Sequence, residues 1–283
     1  MLTHILNGLI IGSSYVLIAS GLTLIFGILD VINLAHGEVY MIGAFVAYLA
    51  FTSLGISFWL ALLLSMILVA VFGVIIEKII FKPLRNQTLL NTLLVSIALA
   101  VLLQNVAMLL WGSEPKLLQT AMATQTISIL GVSLTVQRLM VIVVGAILII
   151  GLHLLIEKTS IGKAMRATAQ DKEAAALMGI NIDKVYTFTF AVGCALAAAA
   201  GSLIAPVFLV FPTMGFLPFI KGFTVVILGG LGNVLGAIYA GLLLGLIESL
   251  GAVYISTAYK DTFAFIILIL VLLFKPSGLL GRG

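Results

Sequence analysis

Charged side chains are scarce in this sequence of 283 residues. Asp, Glu, Lys and Arg make up only 8% of the chain, whereas hydrophobic residues make up 63%. Soluble domains average roughly 25% charged residues, so this deficit excludes an ordinary water-soluble globule. A helix that crosses a bilayer needs about 20 apolar residues, and several uncharged stretches reach that length. The composition therefore predicts an integral membrane protein with several spans.

Reactive and metal-binding side chains are equally few. Cys194 is the single cysteine, so no intramolecular disulfide can form, and its Gly/Ala-rich surroundings indicate a packing role. His4, His36 and His153 show no metal-ligand spacing. No nucleophile with a matching base and no intramembrane carboxylate pair is recognisable, so the sequence does not predict an enzyme. The first apolar run lacks a basic n-region and a clear cleavage site, so we expect a membrane segment rather than a removable signal peptide.

Apolar length and turn signals define the predicted helices. The uncharged runs lie at 5–29, 39–76, 86–113, 139–156, 185–220, 222–247 and 262–274. A turn signal at 53–55 divides the second run into about 39–53 and 57–76. Three prolines in the run 185–220 cannot continue a helix, so we expect its helix to end near Pro206, the first of them. The sequence predicts an all-α, polytopic transmembrane bundle of about eight helices, within a range of about seven to nine.

Basic residues indicate which loops face the cytoplasm, because Lys and Arg are enriched on that side of a membrane. Most of the fourteen fall into three groups: Lys78, Lys82 and Arg85; Lys158, Lys163, Arg166, Lys172 and Lys184; and Lys275 with Arg282. The basic residues behind the net charge of +4 are concentrated in these loops, so the charge does not indicate a nucleic-acid partner. The C-terminus is then cytoplasmic and 112–137 lies outside. To return the chain to Lys275, 217–229 and 234–254 must be separate helices joined at 229–233.

Two questions of topology and pairing stay open at this level. Three full spans before Lys78 place Met1 outside, unless 30–38 is a re-entrant break rather than a complete crossing. Lys221 and Glu248 lie in neighbouring apolar stretches, and the sequence alone does not establish whether they meet.

Polar residues concentrate between the first two apolar runs, at Asp30, Asn33, His36 and Glu38. One interpretation is that Asn33, His36 and Glu38 line a translocation pathway, because ionisable groups at membrane depth tend to face cavities. The other is that Asp30 or Asn33 caps the following helix. Both interpretations stay open.

Glycines and an external segment complete the pattern. Gly and Ala recur along the predicted helices, where small residues allow close approach, although broken helices beside a pathway would produce similar breaks, notably at 229–232. Residues 126–136 alternate apolar and polar side chains about a Leu-Gly pair at 130–131, which predicts a small hairpin. The hairpin can either meet a binding protein or cap the outer mouth.

The longest polar segment, 157–184, predicts a cytoplasmic loop that contains a short helix. Asp171 is a good N-cap, Glu173 falls in the positive first turn, and Gly179 suits a left-handed C′ position. Seven helical residues make a rod only about 10 Å long, which is marginal in water unless it docks on something. It can lie in a groove of a partner or pack on its own membrane domain.

The Glu-Ala-Ala run at 173–175, followed after three residues by Gly179, resembles the EAA signature by which permeases of ATP-binding-cassette importers contact their ATPases. The downstream Ile-x-Leu-Pro part of that signature is missing. Two longer stretches are more specific: GLTLIFGILDVINLAHGEVYMIGAF at 21–45, and GKAMRATAQD within 162–180. Across most of its length the chain resembles the branched-chain amino acid permease family.

The resemblance implies a single transmembrane permease domain over 1–283, in a bacterial inner membrane, with an ATPase-coupling loop at 157–184. It also implies a heterodimer with a second, related permease, two cytoplasmic ATP-binding subunits and an extracytoplasmic binding protein. Carried over to this chain, the ATPase-contacting residues are Arg166, Asp171, Glu173, Ala174, Ala175 and Gly179. The chain has no Gly-x-x-x-x-Gly-Lys-Ser/Thr loop, so we expect ATP to bind partner subunits and no cofactor to bind here.

Two other functions stay open on the residues alone. An ion-coupled secondary transporter would use Asp30, Glu38 or Glu248 as its ion site, but such a carrier needs no ATPase-docking helix. A related ATP-driven permease for sugars, urea or short amides would share the loop. The expected function is a permease subunit that translocates branched-chain amino acids by alternating access.

Overall fold

Helices dominate the computed structural model, which describes residues 1–129, 132–275 and 278–280. The α-helices are, in chain order, α1 (Leu2–Leu29), α2 (His36–Thr52), α3 (Phe58–Ile76), α4 (Lys82–Leu84), α5 (Leu89–Trp111), α6 (Ala121–Thr124), α7 (Val136–Lys158), α8 (Ser160–Gln170), α9 (Lys172–Leu177), α10 (Ile182–Ile204), α11 (Phe216–Gly229), α12 (Val234–Tyr254) and α13 (Lys260–Phe274). A π-helical turn, Glu77–Phe81, joins α3 to α4, and a 3-10 turn, Thr257–Tyr259, precedes α13.

The predicted multi-pass helical class is confirmed. Within the described residues, six helices are long and apolar enough to cross a membrane: α1, the continuous rod from α3 through α4, α5, α7, α10 and α12. The helices α2, α11 and α13 are shorter, with 17, 14 and 15 residues. The breaks predicted near Ser53 and Pro206 are also confirmed, because α2 ends at Thr52 and α10 ends at Ile204.

The helices α1 and α10 form the centre of the bundle. Within an apolar 18-residue stretch of each helix, 83% of the residues of α1 and 72% of those of α10 are buried, against 22% in α5 and 17% in α7. Glycines bring α1 and α12 into backbone contact, since a Cβ at Gly12 would lie 3.0 Å from the Gly241 carbonyl oxygen. A Cβ at Gly73 on α3 would lie 2.6 Å from Cys194 Sγ on α10. The packing roles predicted for these glycines and for Cys194 are confirmed.

Basic residues converge at one end of the bundle, which we call the basic end and define by Arg85, Lys172 and the start of α10. Arg85 pairs with Asp183 in the first turn of α10. Arg85 and Lys172 line one cavity together with Asp30, the residue that follows α1. Because the 28 residues of α1 rise by about 42 Å, Met1 lies at the opposite end, which we call the far end.

The connection between α1 and α2 turns back into the bundle. A Cβ at Gly21 of α1 would lie 2.7 Å from the Gly193 carbonyl oxygen of α10 and 2.9 Å from His36 Nε2. Gly193 is half-way along the 23-residue α10, about 17 Å from the basic end, so α2 begins at mid-depth. The connection is therefore re-entrant, α2 and α3 then lead to the far end and back, and Met1 and Lys78 lie at opposite ends.

A second short helix, α11, also begins at mid-depth. A Cβ at Gly37 would lie 2.5 Å from the Gly215 carbonyl oxygen, so the N-terminal ends of α2 and α11 meet. From this point α2 runs to the far end and α11 runs to the basic end, where Gly232 lies against Gly27 of α1. Discontinuous helices with N-termini at mid-depth are a recurring feature of substrate sites in transporters.

A small hairpin lies at the far end, between α5 and α7. The strands β1 (Thr126–Ile129) and β2 (Val132–Thr135) pair in antiparallel register, which confirms the hairpin predicted over 126–136. Its predicted turn at 130–131 lies outside the described residues, as does Arg282 of the C-terminal basic group.

Candidate functional site

The segment around Glu173 folds as predicted into a short capped helix, α9. Asp171 Oδ1 accepts hydrogen bonds from the N–H groups of Glu173 at 2.9 Å and of Ala174 at 3.0 Å. At the other end Gly179 has a φ of 83°, the left-handed conformation predicted for its position, and its N–H donates to the Ala176 carbonyl at 3.0 Å. The helix has six residues, one fewer than predicted, and hydrogen bonds define both of its ends.

A second helix, α8, fills the first part of the polar segment 157–184 and was not predicted. The side chain of Thr159 accepts a hydrogen bond from the N–H of Gly162 at 3.0 Å and so caps the helix. The buried residues of α8 recur at three-residue spacing and are Gly162, Met165 and Thr168. That cap and that spacing are the signals that reveal an amphipathic helix. Arg166 pairs with Glu157 at 3.1 Å, so it attaches α8 to the end of α7.

Most of the surface of α9 faces solvent. Among its six residues, Ala175 alone is buried and seats the helix on the bundle. Glu173 and Ala174 are exposed. Leu177 and the adjoining Met178 are 88% and 84% exposed. The basic end therefore carries an uncovered apolar tip, which we define as Leu177 and Met178.

The polar residues before and within the first turn of α2 are buried at mid-depth. Asn33, His36 and Glu38 are only 1%, 0% and 3% exposed. The prediction that Asp30 or Asn33 caps α2 is wrong, because the N-cap residue is Ala35, which makes no side-chain hydrogen bond. Asp30 instead ends α1 with a φ of 55°, and Asn33 Oδ1 accepts from the N–H of Ala35 within the re-entrant turn. Since this turn separates both side chains from the first free N–H groups of α2, neither can cap it.

Of the three predicted pathway residues, Glu38 reaches a cavity. The cavity has a volume of about 400 Å³ and is lined by Leu34, Glu38, Ile97, Ala100, Val101, Gln104, Phe216 and Phe219. Gln104 Nε2 donates a hydrogen bond to Glu38 Oε1 at 2.8 Å. Among the described residues, Glu38 Oε2 has no hydrogen-bond partner. Asn33 and His36 do not line this cavity.

Gln104 was not singled out from the sequence. Gln104 and the adjoining Asn105 interrupt the otherwise apolar stretch 97–111, and polar side chains at membrane depth were the available signal. Its partner Glu38 is 66 positions away, so only the tertiary fold reveals their contact.

A second buried carboxylate, Glu248 of α12, lies in a charged cluster. Lys221 of α11 pairs with Glu248, and Lys221 Nζ also lies 3.1 Å from Asp261 Oδ1 at the start of α13. Tyr15 of α1 donates its hydroxyl to Glu248 Oε2 at 2.8 Å. The cluster joins four helices and leaves neither oxygen of Glu248 without a partner. The pairing that the sequence left open therefore forms.

Comparison with known proteins was made over the whole chain. The family model described as "Branched-chain amino acid transport system / permease component" matches residues 4–272. The chain is 40% identical over 294 aligned positions to BraD of Pseudomonas aeruginosa, a high-affinity branched-chain amino acid transport system permease protein. It is 37% identical over the same length to LivH of Escherichia coli, which carries the same description. Each alignment covers 99% of this chain and 96% of the relative.

Similarity to other importers is partial. The fructose import permease protein FrcC of Rhizobium meliloti is 28% identical over 138 positions, which cover 46% of this chain and 38% of that protein. No solved structure matches the chain. The family match of 4–272, in contrast, includes both the polar segment 157–184 and the mid-depth segment around Glu38. This chain therefore belongs to the permease family of the branched-chain amino acid transport systems.

Proposed function

We propose that this chain is the membrane-spanning subunit of an ATP-driven importer that translocates branched-chain amino acids delivered by an extracytoplasmic binding protein. Its expected partners are a second, related permease and two ATP-binding subunits, which bind the ATP. The basic end faces the cytoplasm of the cell that carries the protein in its inner membrane, in keeping with the distribution of Lys and Arg. Family membership supports this proposal, and the exposed tip of α9 carries it.

The form of α9 suits a docking element. A helix of six residues is about 9 Å long and does not persist in water by itself, but here caps at Asp171 and Gly179 preorganise it. Its apolar tip, Leu177 and Met178, is exposed at the basic end and lies in the sequence between the exposed acids Glu173 and Asp183. Exposed apolar surface with a polar rim marks interaction sites. We assign the ATPase contact to this face, with Glu173 and Ala174 beside the tip.

Direct contacts connect α8 and α9 to the transmembrane helices, so a displacement of α9 would be transmitted to them. Arg166 and Glu157 join α8 to the end of α7. A Cβ at Gly162 would lie 2.2 Å from the Leu155 carbonyl oxygen, so α8 and α7 are in backbone contact. Ala175 seats α9 on the bundle. Closure of the two ATPases would thus move α7 and α10 as the access of the pathway alternates between the two sides.

The pathway itself is assigned to the mid-depth region. Asn33, His36 and Glu38 lie where the half-length helices α2 and α11 meet, and Glu38 faces a cavity. Discontinuous helices and an intramembrane acid at mid-depth are both features of substrate pathways. Asn33 and His36 are buried near Glu38 in the chain, and we expect them to become accessible only if the helices move.

Variants of α9 test the docking assignment in the complete transporter. Glu173→Lys reverses a charge on the docking face, and Gly179→Leu places a bulky side chain at a position with φ of 83° and open space around it. Loss of an interface hot spot costs about 2 kcal/mol, so we expect leucine uptake into proteoliposomes to fall by about tenfold or more. ATP hydrolysis should continue without transport, and membrane insertion should be unchanged.

Glu114→Lys is the matched control, because Glu114 is an exposed acid at the far end. It should leave the coupling of hydrolysis to uptake intact. Normal uptake in both α9 variants would count decisively against the docking assignment.

A further inference from the structure

We infer that Glu38 binds the α-ammonium group of the transported amino acid, in a cavity whose apolar wall accepts the aliphatic side chain. This assignment rests on the proposed function, because it names the substrate group that the mid-depth site recognises. It follows from the shape of the cavity, from the charge balance at Glu38 and from the lining residues.

Two adjoining cavities lead to Glu38. The one that contains Glu38 has a volume of about 400 Å³, and a neighbour of about 440 Å³ shares Gln104 and Phe216 with it. The neighbouring cavity is also lined by Phe211 and Thr213, which belong to the segment that descends from the far end. Each volume falls in the range of about 300–1,000 Å³ found for small-molecule sites. The two cavities therefore adjoin at Gln104 and Phe216, on the side of Glu38 that faces this segment.

The charge on Glu38 has no cationic partner within the described residues. Three carboxylates there are buried: Glu38, Glu77 and Glu248. Glu77 pairs with Arg85, and Glu248 pairs with Lys221. Glu38 has only the neutral amide of Gln104 on one oxygen, and its other oxygen has no partner.

A carboxylate buried in this way is costly unless something compensates it. Glu38 lies in the first turn of α2 and close to the start of α11, and the N-termini of these two helices supply partial positive charges of about half a unit each. Neither helix end donates a hydrogen bond to Glu38 Oε2. A cationic ligand with N–H donors would complete the compensation and satisfy Oε2. The α-ammonium group of an amino acid carries one positive charge and three donors, which fits this requirement.

The remaining lining residues fit the other parts of an amino acid. Leu34, Ile97, Val101 and Phe219 give the cavity an apolar wall that suits a branched aliphatic side chain. Phe216 begins α11 and lines both cavities, so the partial positive charge at the start of that helix can attract the α-carboxylate. The site thus separates the three parts of the substrate.

Leucine uptake by the reconstituted complete transporter tests the role of Glu38. Glu38→Gln preserves shape and removes the charge, and Glu38→Asp preserves the charge. Loss of a hydrogen bond to a charged group should lower uptake by about tenfold or more in Glu38→Gln, with partial recovery in Glu38→Asp. Unchanged uptake in Glu38→Gln, with ATP dependence intact, overturns this assignment and leaves the proposed function standing. Uptake by the unmodified transporter that needs no ATP overturns the proposed function itself.

A binding measurement identifies the substrate group. Radiolabelled leucine bound to the purified transporter, without binding protein, is competed with 3-methylbutylamine, which lacks the carboxylate, and with 4-methylpentanoate, which lacks the ammonium group. We expect the amine to compete and the acid to fail, and Glu38→Gln to abolish the advantage of the amine. Stronger competition by the acid overturns the assignment, as does leucine binding that depends on sodium.

A matched pair on α5 tests the place of the aliphatic side chain. Ala100 lines the cavity, whereas Leu102 of the same helix does not and is 57% exposed. Ala100→Phe should block leucine binding, and Leu102→Phe should leave it within about twofold, as expected for a change outside the site. Equal binding by the two variants contradicts the assignment of the cavity.

Discussion

Glu38 and Glu248 are both carboxylates buried within the helical bundle, but their surroundings differ in every respect that matters to charge. One oxygen of Glu248 pairs with Lys221, and the other accepts a hydrogen bond from the Tyr15 hydroxyl. These residues lie where α1, α11, α12 and α13 pack together. Glu38 accepts one hydrogen bond, from the neutral side-chain amide of Gln104, and faces a cavity. The first carboxylate is compensated by the protein, whereas the second is left for a ligand. Charge compensation, rather than burial, separates a structural acid from a binding acid.

The largest effect is expected at Lys221. Lys221→Met leaves Glu248 buried without its cation, and loss of one partner of a buried pair costs about 3–5 kcal/mol. Denaturant unfolding of the purified protein measures the loss. Lys78→Met is the control, because Lys78 is exposed at the basic end, and it should stay within about 0.5 kcal/mol of the parent. Equal stability of the two variants would contradict the claim that Lys221 stabilises the protein by compensating the charge of Glu248.

A smaller effect is expected at Tyr15. Tyr15→Phe removes the donor to Glu248 Oε2 and should destabilise the protein by about 1.5–3 kcal/mol, the range for hydrogen bonds to charged groups. Tyr239→Phe serves as its match, since Tyr239 is 65% exposed on α12. The same unfolding assay compares them, and no difference between them would mean that Tyr15 does not support Glu248.

Gln104 should matter less to stability. Gln104→Leu removes the one donor to the Glu38 carboxylate, and a hydrogen bond to a charged group contributes about 1.5–3 kcal/mol where nothing replaces it. Because the cavity gives Glu38 room to find another partner, we expect the loss to lie near the lower end of that range. A loss as large as that of Lys221→Met would show that Glu38 is held as firmly as Glu248.

The smallest effect on stability is expected at Glu38 itself. Glu38→Gln removes an uncompensated charge and keeps the side-chain shape, so unfolding should stay within about 0.5 kcal/mol of the parent or shift toward higher stability. Thermal unfolding of the purified proteins, measured under identical conditions, ranks the stability of Glu38→Gln against that of Lys221→Met. Strong destabilisation would make Glu38 a structural residue.

Most helix boundaries were predictable because their signals are local. The turn signal at 53–55 and the proline at position 206 each lie within a few residues of the helix end that they predict. The caps of α9 at Asp171 and Gly179 were predictable for the same reason. The helix α8 was missed because polar residues interrupt its apolar face, and its stability comes from contact with α7.

The site was predictable only in part. Sequence drew attention to Glu38, but its cavity is built from α5 and α11 as well as α2, and no short-range pattern joins those helices. The capping role expected for Asp30 or Asn33 failed because the chain re-enters the bundle instead of turning in a surface loop. Such a path depends on close glycine contacts, at Gly21 and Gly37 among others, that only the folded chain reveals.

Mild detergent extraction of this subunit from its native membrane, with the co-purifying chains identified by mass, tests the central claim most directly. The account predicts recovery of a second, related permease and a pair of ATP-binding subunits. Recovery of the chain alone, still competent for uptake driven by a proton or sodium gradient in liposomes, would contradict it.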